Sequence, residues 1–349
     1  MPITHLPRAL PLLEDEVVHR SALAEAGLNL DLGDRLARRG LWLRLAPSVY
    51  LAGLGPPTDA QLVRAAQWHV GNDLVVTGAV ACRALGLPDV PDDATVEVLI
   101  APGTRAVSSA YVVVHQTERP PLTWEHQGAS YACGPRAVVD TARRATDLRT
   151  ARAVVLASVC QRLCTATELS EEVEAGHSRG SGLVRRAVDD AVAGAWSAPE
   201  AEAGDLVRAV VREQRLPPFL LNPTLTVDGV RVGTPDGYVV GTGVGWQVDS
   251  RRHHGAPDDL DDTLGVHDRY AAHGLTLLHV TPRRLRLLGP HWAQQLVEAV
   301  EARGGCEPRG LQVIRNGPLQ TGPQRAPLRG QELPRARPPR YPRPPRYPL

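Results

Sequence analysis

Lysine is absent from all 349 residues, so each of the 39 basic side chains is arginine. Any mechanism that requires a catalytic lysine is excluded. Together with the excess of Ala, Val, Gly and Pro, the missing lysine reads as a GC-rich coding bias before it reads as selection for guanidinium chemistry. Cysteine is sparse and scattered, at Cys82, Cys133, Cys160, Cys164 and Cys306. Only Cys160 and Cys164 are close, at the i, i+4 spacing that shares a helix face. No second Cys/His pair stands at finger spacing, so all five are expected as small buried residues or inert thiols of a reducing cytoplasm. No run approaches the roughly 18 apolar residues of a membrane span. The opening MPITHLPRALPLLEDEV lacks a basic stretch followed by an unbroken apolar one. The expectation is a cytoplasmic protein with no membrane partner. Net charge is only +1, 39 basic against 38 acidic residues, which removes any argument from global basicity. A nucleic-acid protein can still carry a local basic face, so charge is read segment by segment.

The length allows two or three domains with cores of their own. Helical patterning from Glu14 to Gly27 and from Asp31 to Arg39 is followed by two short strands, LWLRLA and VYLA, around Pro47-Ser48. Asp31 is placed to cap the second helix, and Gly27 and Gly40 stand where helix-ending glycines belong. Residues 10–53 thus outline a winged helix-turn-helix. Thr58 can cap the next helix, VTGAVACRALGL reads as a further buried helix, and TVEVLIAP and YVVVHQT read as a hairpin. Helices then follow to about Glu213, so residues 54–195 form a mixed, then helical, middle domain. Residues 196–305 run helix, three strands, helix, strand, helix. In them Pro217-Pro218 ends the first helix and Thr281-Pro282 opens the last. Residues 306–349, closing with RPPRYPRPPRYP, read as a disordered Pro/Arg-rich tail. The class is α/β multidomain.

Polar residues occupy strand positions around one hairpin of the C-terminal region: Pro235 to Tyr238, then Trp246 to His254, then His267 to Tyr270. With Thr242-Gly243 as a two-residue loop, Gly241 faces Val244 and Asp236 faces Asp249. Asp236, Gln247 and Asp249 then project from one face. Two carboxylates on one face repel unless a cation lies between them, and oxygen ligands of this kind suit magnesium. Such an ion could activate water against a phosphodiester. Asp236, between Pro and Gly, also suits an ordinary turn. His253 and His254 could suggest zinc, but no Cys or His lies at ligand spacing on either side.

This order of elements and acids resembles the very-short-patch-repair branch of the restriction-endonuclease-like fold, a combination found in actinobacterial proteins. The resemblance implies a catalytic set of Asp236, Gln247, Asp249, His254 and a helical acid, Glu200 or Glu202, with Asp236 and Asp249 on Mg2+. It also matches Asp268 and Arg269 to the family's helical acid and base. Two departures stand out: Gln247 replaces a glutamate and Ser250 a glycine. An amide adds no negative charge, so a weakened site is expected.

In the N-terminal region Arg35, Arg38 and Arg39 share a helix face, and Arg44 lies on the first strand of the wing. Such a face can enter a major groove. An ordinary solvated helix face is the plainer alternative. RGLWLRLAPSVYLA resembles the start of the abortive-infection type IV antitoxins (AbiEi-like), with Ser48 where the family has glycine. VVTGAVACRALGLP and GPRAVVDTARR resemble later family segments, placing Thr77, Ala79, Ala81, Arg136, Asp140 and Arg144. Arg136 and Asp140 are explained by an i, i+4 ion pair without chemistry. The resemblance implies a double-stranded DNA-binding antitoxin or regulator with a nucleotidyltransferase-like toxin as partner. The alternatives are a Mg-dependent endonuclease, or an interaction module using the Pro/Arg tail.

Overall fold

The computed structural model describes residues 16–88, 90–178, 180–214, 216–249 and 257–316; for residues 214 and 257–264 it describes backbone alone. Within them mixed α/β architecture prevails, with parallel and antiparallel pairing in several sheets.

The described residues open with a strand, β1 (Val17–His19), where a helix was expected, and α1 (Arg20–Glu25) follows directly. Alternating Val17 and Val18 cover two cores at once, a period that a helix cannot supply. Next come α2 (Leu32–Arg38), β2 (Leu43–Ala46) and β3 (Val49–Leu51), in an antiparallel sheet of order β1-β3-β2. Gly27 and Gly40 do end their helices at positive φ. Asp31 makes no side-chain cap; its carboxylate accepts from Arg20 at 3.2 Å instead. Ser48 adopts φ 65°, so the turn takes a left-handed residue although it is not glycine.

The middle region opens with α3 (Asp59–Val70), whose Thr58 and Gln61 form a full capping box. A sheet of order β6-β5-β4-β8-β7 follows, from β4 (Val75–Thr77), β5 (Val96–Ile100), β6 (Val112–Gln116), β7 (Thr123–His126) and β8 (Ala129–Ala132). The first part of VTGAVACRALGL is β4, and only α4 (Gly78–Ala84) is helical. The expected β5–β6 hairpin is wrong: Val96 to Ile100 pair with Val112 to Gln116 in parallel. An eleven-residue connection, residues 101–111, is long enough to return the chain to the same end, so polarity of the loop did not fix direction. Four helices come next: α5 (Gly134–Arg143), α6 (Leu148–Cys160), α7 (Ala166–Ala175) and α8 (Gly182–Val192).

The C-terminal region begins with α9 (Ala198–Gln214). Up to Val280 its described strands number six where four were expected, because residues 219–227 and 230–240, each patterned as a single strand, break in two. They give β9 (Phe219–Leu221), β10 (Thr224–Val227), β11 (Val230–Gly233) and β12 (Gly237–Val239). Then follow β13 (Val244–Val248), α10 (Pro257–Ala272), β14 (Thr276–Val280), α11 (Pro282–Ala302) and β15 (Leu311–Ile314). One sheet has order β14-β13-β12-β9, with only β13 and β14 parallel across the α10 crossover. A smaller sheet, β11-β10-β15, flanks it. Residues 306–316 are therefore not part of a disordered tail. Leu311 to Ile314 pair with β10, and Asn316 donates to the Asn222 carbonyl at 2.7 Å. Residues 317–349 lie outside the described residues. The largest buried cluster runs through all three regions, with Leu45 and Val49, Val154 and Leu156, and Trp246 and Trp292 among its members.

Candidate functional site

Asp236 stands just before β12, and the register there sets what it meets. Gly237 pairs with Trp246 and Val239 with Val244, so the turn spans Val240 to Gly243 rather than two residues. The expected Asp236–Asp249 facing pair is thus displaced by two residues, and Asp236 lies opposite Gln247. An even displacement preserves the face. The longer turn is fixed from outside the hairpin. Glu307 accepts from the Tyr238 hydroxyl and the Gly241 N–H, and Arg303 donates to the Thr242 carbonyl. Gly237 must be glycine, since a Cβ there would come within 1.9 Å of the Trp246 ring.

Around this hairpin each acid has donors of its own. Gln247 donates from Nε2 to Asp236 Oδ1 at 2.7 Å, and the Val248 N–H donates to Oδ2 at 2.6 Å. Asp249 takes its bond from His279 Nδ1, 3.0 Å from Oδ2, which puts the ring proton on Nδ1. The His279 ring lies 5.6 Å from that of His267, and its buried Nε2 has no partner among the described residues. Glu200 supplies the helical acid. Its carboxylate accepts from the Trp196 N–H, the Ser197 hydroxyl and Asn222 Nδ2.

Glu202, the other helical candidate, does not join the cluster: it pairs with Arg149 at 3.3 Å. Two residues along a helix turn a side chain by about 200°, so only one of the pair can face the sheet. His254, with His253, lies outside the described residues. Asp268 and Arg269 are exposed, and no ion pair joins them to the cluster among the described residues. Asn222 and His279 were not singled out from the sequence. The histidine in HVTP, interrupting an apolar strand, was the available signal.

Burial pushes the Asp236 carboxyl well above the usual carboxylate range, and the neighbouring charge of Glu200 adds to it; the bonds from Val248 and Gln247 offset part of this. Burial likewise raises Glu200 against its three donors. Magnesium prefers about six oxygen ligands in near-octahedral array. Here every carboxylate oxygen of Glu200 and Asp236 already accepts a hydrogen bond, Asp249 is committed to His279, and Gln247 brings a donor toward Asp236. Among the described residues no group of three or more His, Cys, Asp or Glu side chains is arranged to hold an ion. The donor set in this arrangement does not fit a magnesium centre.

At the N-terminal region, Arg35, Arg38, Arg39 and Arg44 are all exposed. Leu36 and Gly33 face inward, and a Cβ on Gly33 would meet the Tyr50 ring at 2.4 Å, so α2 lies hard against β3. Asp34 accepts from the Tyr50 hydroxyl at 2.7 Å and stands 3.6 Å from Arg44, which ties strand and helix together. Desolvation, with Asp34 beside it, raises the Tyr50 phenol to about 12. Arg35 and Arg39 have no ion pair among the described residues. The expected Arg136–Asp140 pair is present at 2.7 Å, extended by Thr77 and Arg143.

No family model matches this chain. No curated protein matches it either. A solved structure titled as the RV2827C protein from Mycobacterium tuberculosis is similar over 50% of this chain and 72% of that one, at 16% identity and a TM-score of 0.34. No helix among the described residues is long and apolar enough to cross a membrane.

Proposed function

We propose that this chain is a DNA-binding protein of the antitoxin or regulator type. In this reading residues 10–53 are a winged helix that contacts duplex DNA through Arg35, Arg38, Arg39 and Arg44. The observation that carries it is the exposed arginine face of α2, docked on a three-stranded antiparallel sheet that carries exposed Arg44, itself 3.6 Å from Asp34. Arginines such as Arg35 and Arg39, without an ion pair among the described residues, are suited to phosphates and to guanine edges. The C-terminal order of α9, β9, β12, β13, α10, β14 and α11 supports a restriction-endonuclease-like body, with Gln247 leaving its acid cluster closed to magnesium. A nucleotidyltransferase-like toxin is the partner this reading implies.

The test is duplex binding followed by fluorescence anisotropy from 50 to 300 mM salt. Arg38→Ala with Arg39→Ala should weaken binding and lower the salt slope by about 0.9 for each phosphate that is no longer neutralised. Equal affinity and slope in the double variant would remove the groove assignment. A second reading, a metal-dependent endonuclease, is favoured by the gathering of Glu200, Asp236 and Asp249. It requires nicking that depends on divalent ions and is lost in Asp236→Ala; no nicking across a panel of ions and DNA substrates counts against it.

A further inference from the structure

The 17 residues from Thr281 to Val297 contain no acidic residue, and three arginines fall at the start of that stretch. Thr281 caps α11 by accepting from the Arg284 N–H at 3.2 Å, so Arg283, Arg284 and Arg286 occupy the first turns. Cations there oppose the helix dipole, whose positive end is at the N-terminus. An acidic neighbour could offset this, yet among the described residues none of the three has an ion pair, and all three are exposed. Beside them Leu287 is 68% and Leu288 48% exposed. Leu288 leaves helical geometry at φ −134°, two residues ahead of Pro290, so the arginine-bearing turns are set off from the rest of α11 by a kink. The patch follows β14 directly. The Asp249 N–H donates to the Val280 carbonyl at 2.8 Å, and His279 holds Asp249, so the arginines begin at the strand end where the acid cluster lies.

We propose that Arg283, Arg284 and Arg286 form a second contact with the phosphate backbone of duplex DNA, carried by the C-terminal region. It rests on the DNA-binding reading above and extends it. The occupant is set by charge: three exposed guanidinium groups without an ion pair among the described residues, at positions that disfavour cations, match a polyanion, and the exposed leucines beside them can lie against sugar edges. The C-terminal body then grips DNA beside a cluster closed to magnesium.

The experiment uses the full chain and a duplex of about 30 base pairs, with affinity read by anisotropy from 50 to 300 mM NaCl. The variants are Arg283→Ala/Arg284→Ala/Arg286→Ala, the same three positions changed to Lys, and Arg38→Ala/Arg39→Ala. The expected result is a salt slope lower by up to about 2.7 in the triple alanine variant and close to wild type in the triple lysine variant, which retains charge and controls for folding. Wild-type slope and affinity in the triple alanine variant overturn the proposal; if Arg38→Ala/Arg39→Ala then loses binding, the winged-helix reading still stands. Loss in the triple alanine variant with none in Arg38→Ala/Arg39→Ala supports the proposal and removes the winged-helix contact. A triple lysine variant as weak as the alanine one overturns the assignment to charge. Absence of duplex binding by the wild type overturns both.

Discussion

Replacing Gln247 by Glu exchanges the donor on Asp236 for a second carboxylate. The geometry is set by the 2.7 Å bond between Gln247 Nε2 and Asp236 Oδ1. Two full charges about 4 Å apart at an effective dielectric of 20 repel by about 4 kcal/mol, and the lost hydrogen bond adds about 1 kcal/mol. Gln247 is only partly buried, and screening reduces the first figure. A destabilisation of about 2–4 kcal/mol is expected at pH 8 in chelator. At pH 5 the two carboxyls can share a proton, so most of the loss should vanish; magnesium or manganese at pH 8 should restore stability by occupying the new site. Urea unfolding with and without metal measures this. Wild type should show no metal dependence. A Gln247→Glu variant as stable as wild type at pH 8 in chelator would refute the account of Asp236 as an acid held by neutral donors.

Asp236 and Glu200 both have folded-state pKa values above their unfolded ones. Their contribution is complete below about pH 4, the unfolded range, and is lost as pH rises through the raised folded values. Asp236→Asn should therefore flatten the fall of stability as pH rises above about 4, whatever it does to stability at any one pH; an unchanged slope in denaturation contradicts the assignment. Arg152, 3% exposed at its side chain, bonds both Asp190 and Asp205. Removing it takes the nearest cation from buried Asp190, which keeps only Arg208 at 3.2 Å and Arg186 at 3.8 Å, so Arg152→Met should cost up to about 3–5 kcal/mol in urea unfolding, and a loss under about 1 kcal/mol would show that the remaining arginines take over. Asn222 is buried at φ 48° and donates to Gly194 and Glu200. Asn222→Ala should lose about 3 kcal/mol or more, from unmet acceptors and left-handed strain, and Asn222→Gly should recover only the strain, about 1 kcal/mol. Equal stability of the two variants would put the whole effect on hydrogen bonding.

Where local chemistry decides, the elements were legible. The Thr58 and Thr281 caps and the stops at Gly27 and Gly40 all follow from a few adjacent residues. What failed depended on partners distant in sequence. Strand β1 is three residues long and owes its conformation to pairing with Val49–Leu51. The direction of β6 is set by packing, not by the loop before it. Glu200 rather than Glu202 faces the sheet because of which way α9 docks, and periodicity alone leaves that rotation open. The β12–β13 turn is lengthened by Arg303 and Glu307, which lie far along the chain beyond α10, β14 and α11. Residues after Cys306 carry a composition that cannot build a core, yet β15 needs none of its own because β10 offers a free edge.

Crowded carboxylates can be held together by a cation, by shared protons or by donors, and these routes differ in how they can change. In this chain each acid is served from a different element: Asp236 by β13, Asp249 by β14, Glu200 by the start of α9 and by Asn222 after β9. Restoring one negative charge at Gln247 therefore restores a cation site without restoring a cleavage-competent centre, because Asp249 remains bonded to His279 and Glu200 to its three donors. Cation binding should return before any cleavage does, and a variant that gains metal-dependent stability without nicking DNA is the outcome this arrangement requires. The acids act as joints between strands and α9, so under the DNA-binding proposal it is the exposed arginines of α2 and α11, not these acids, that would meet the ligand.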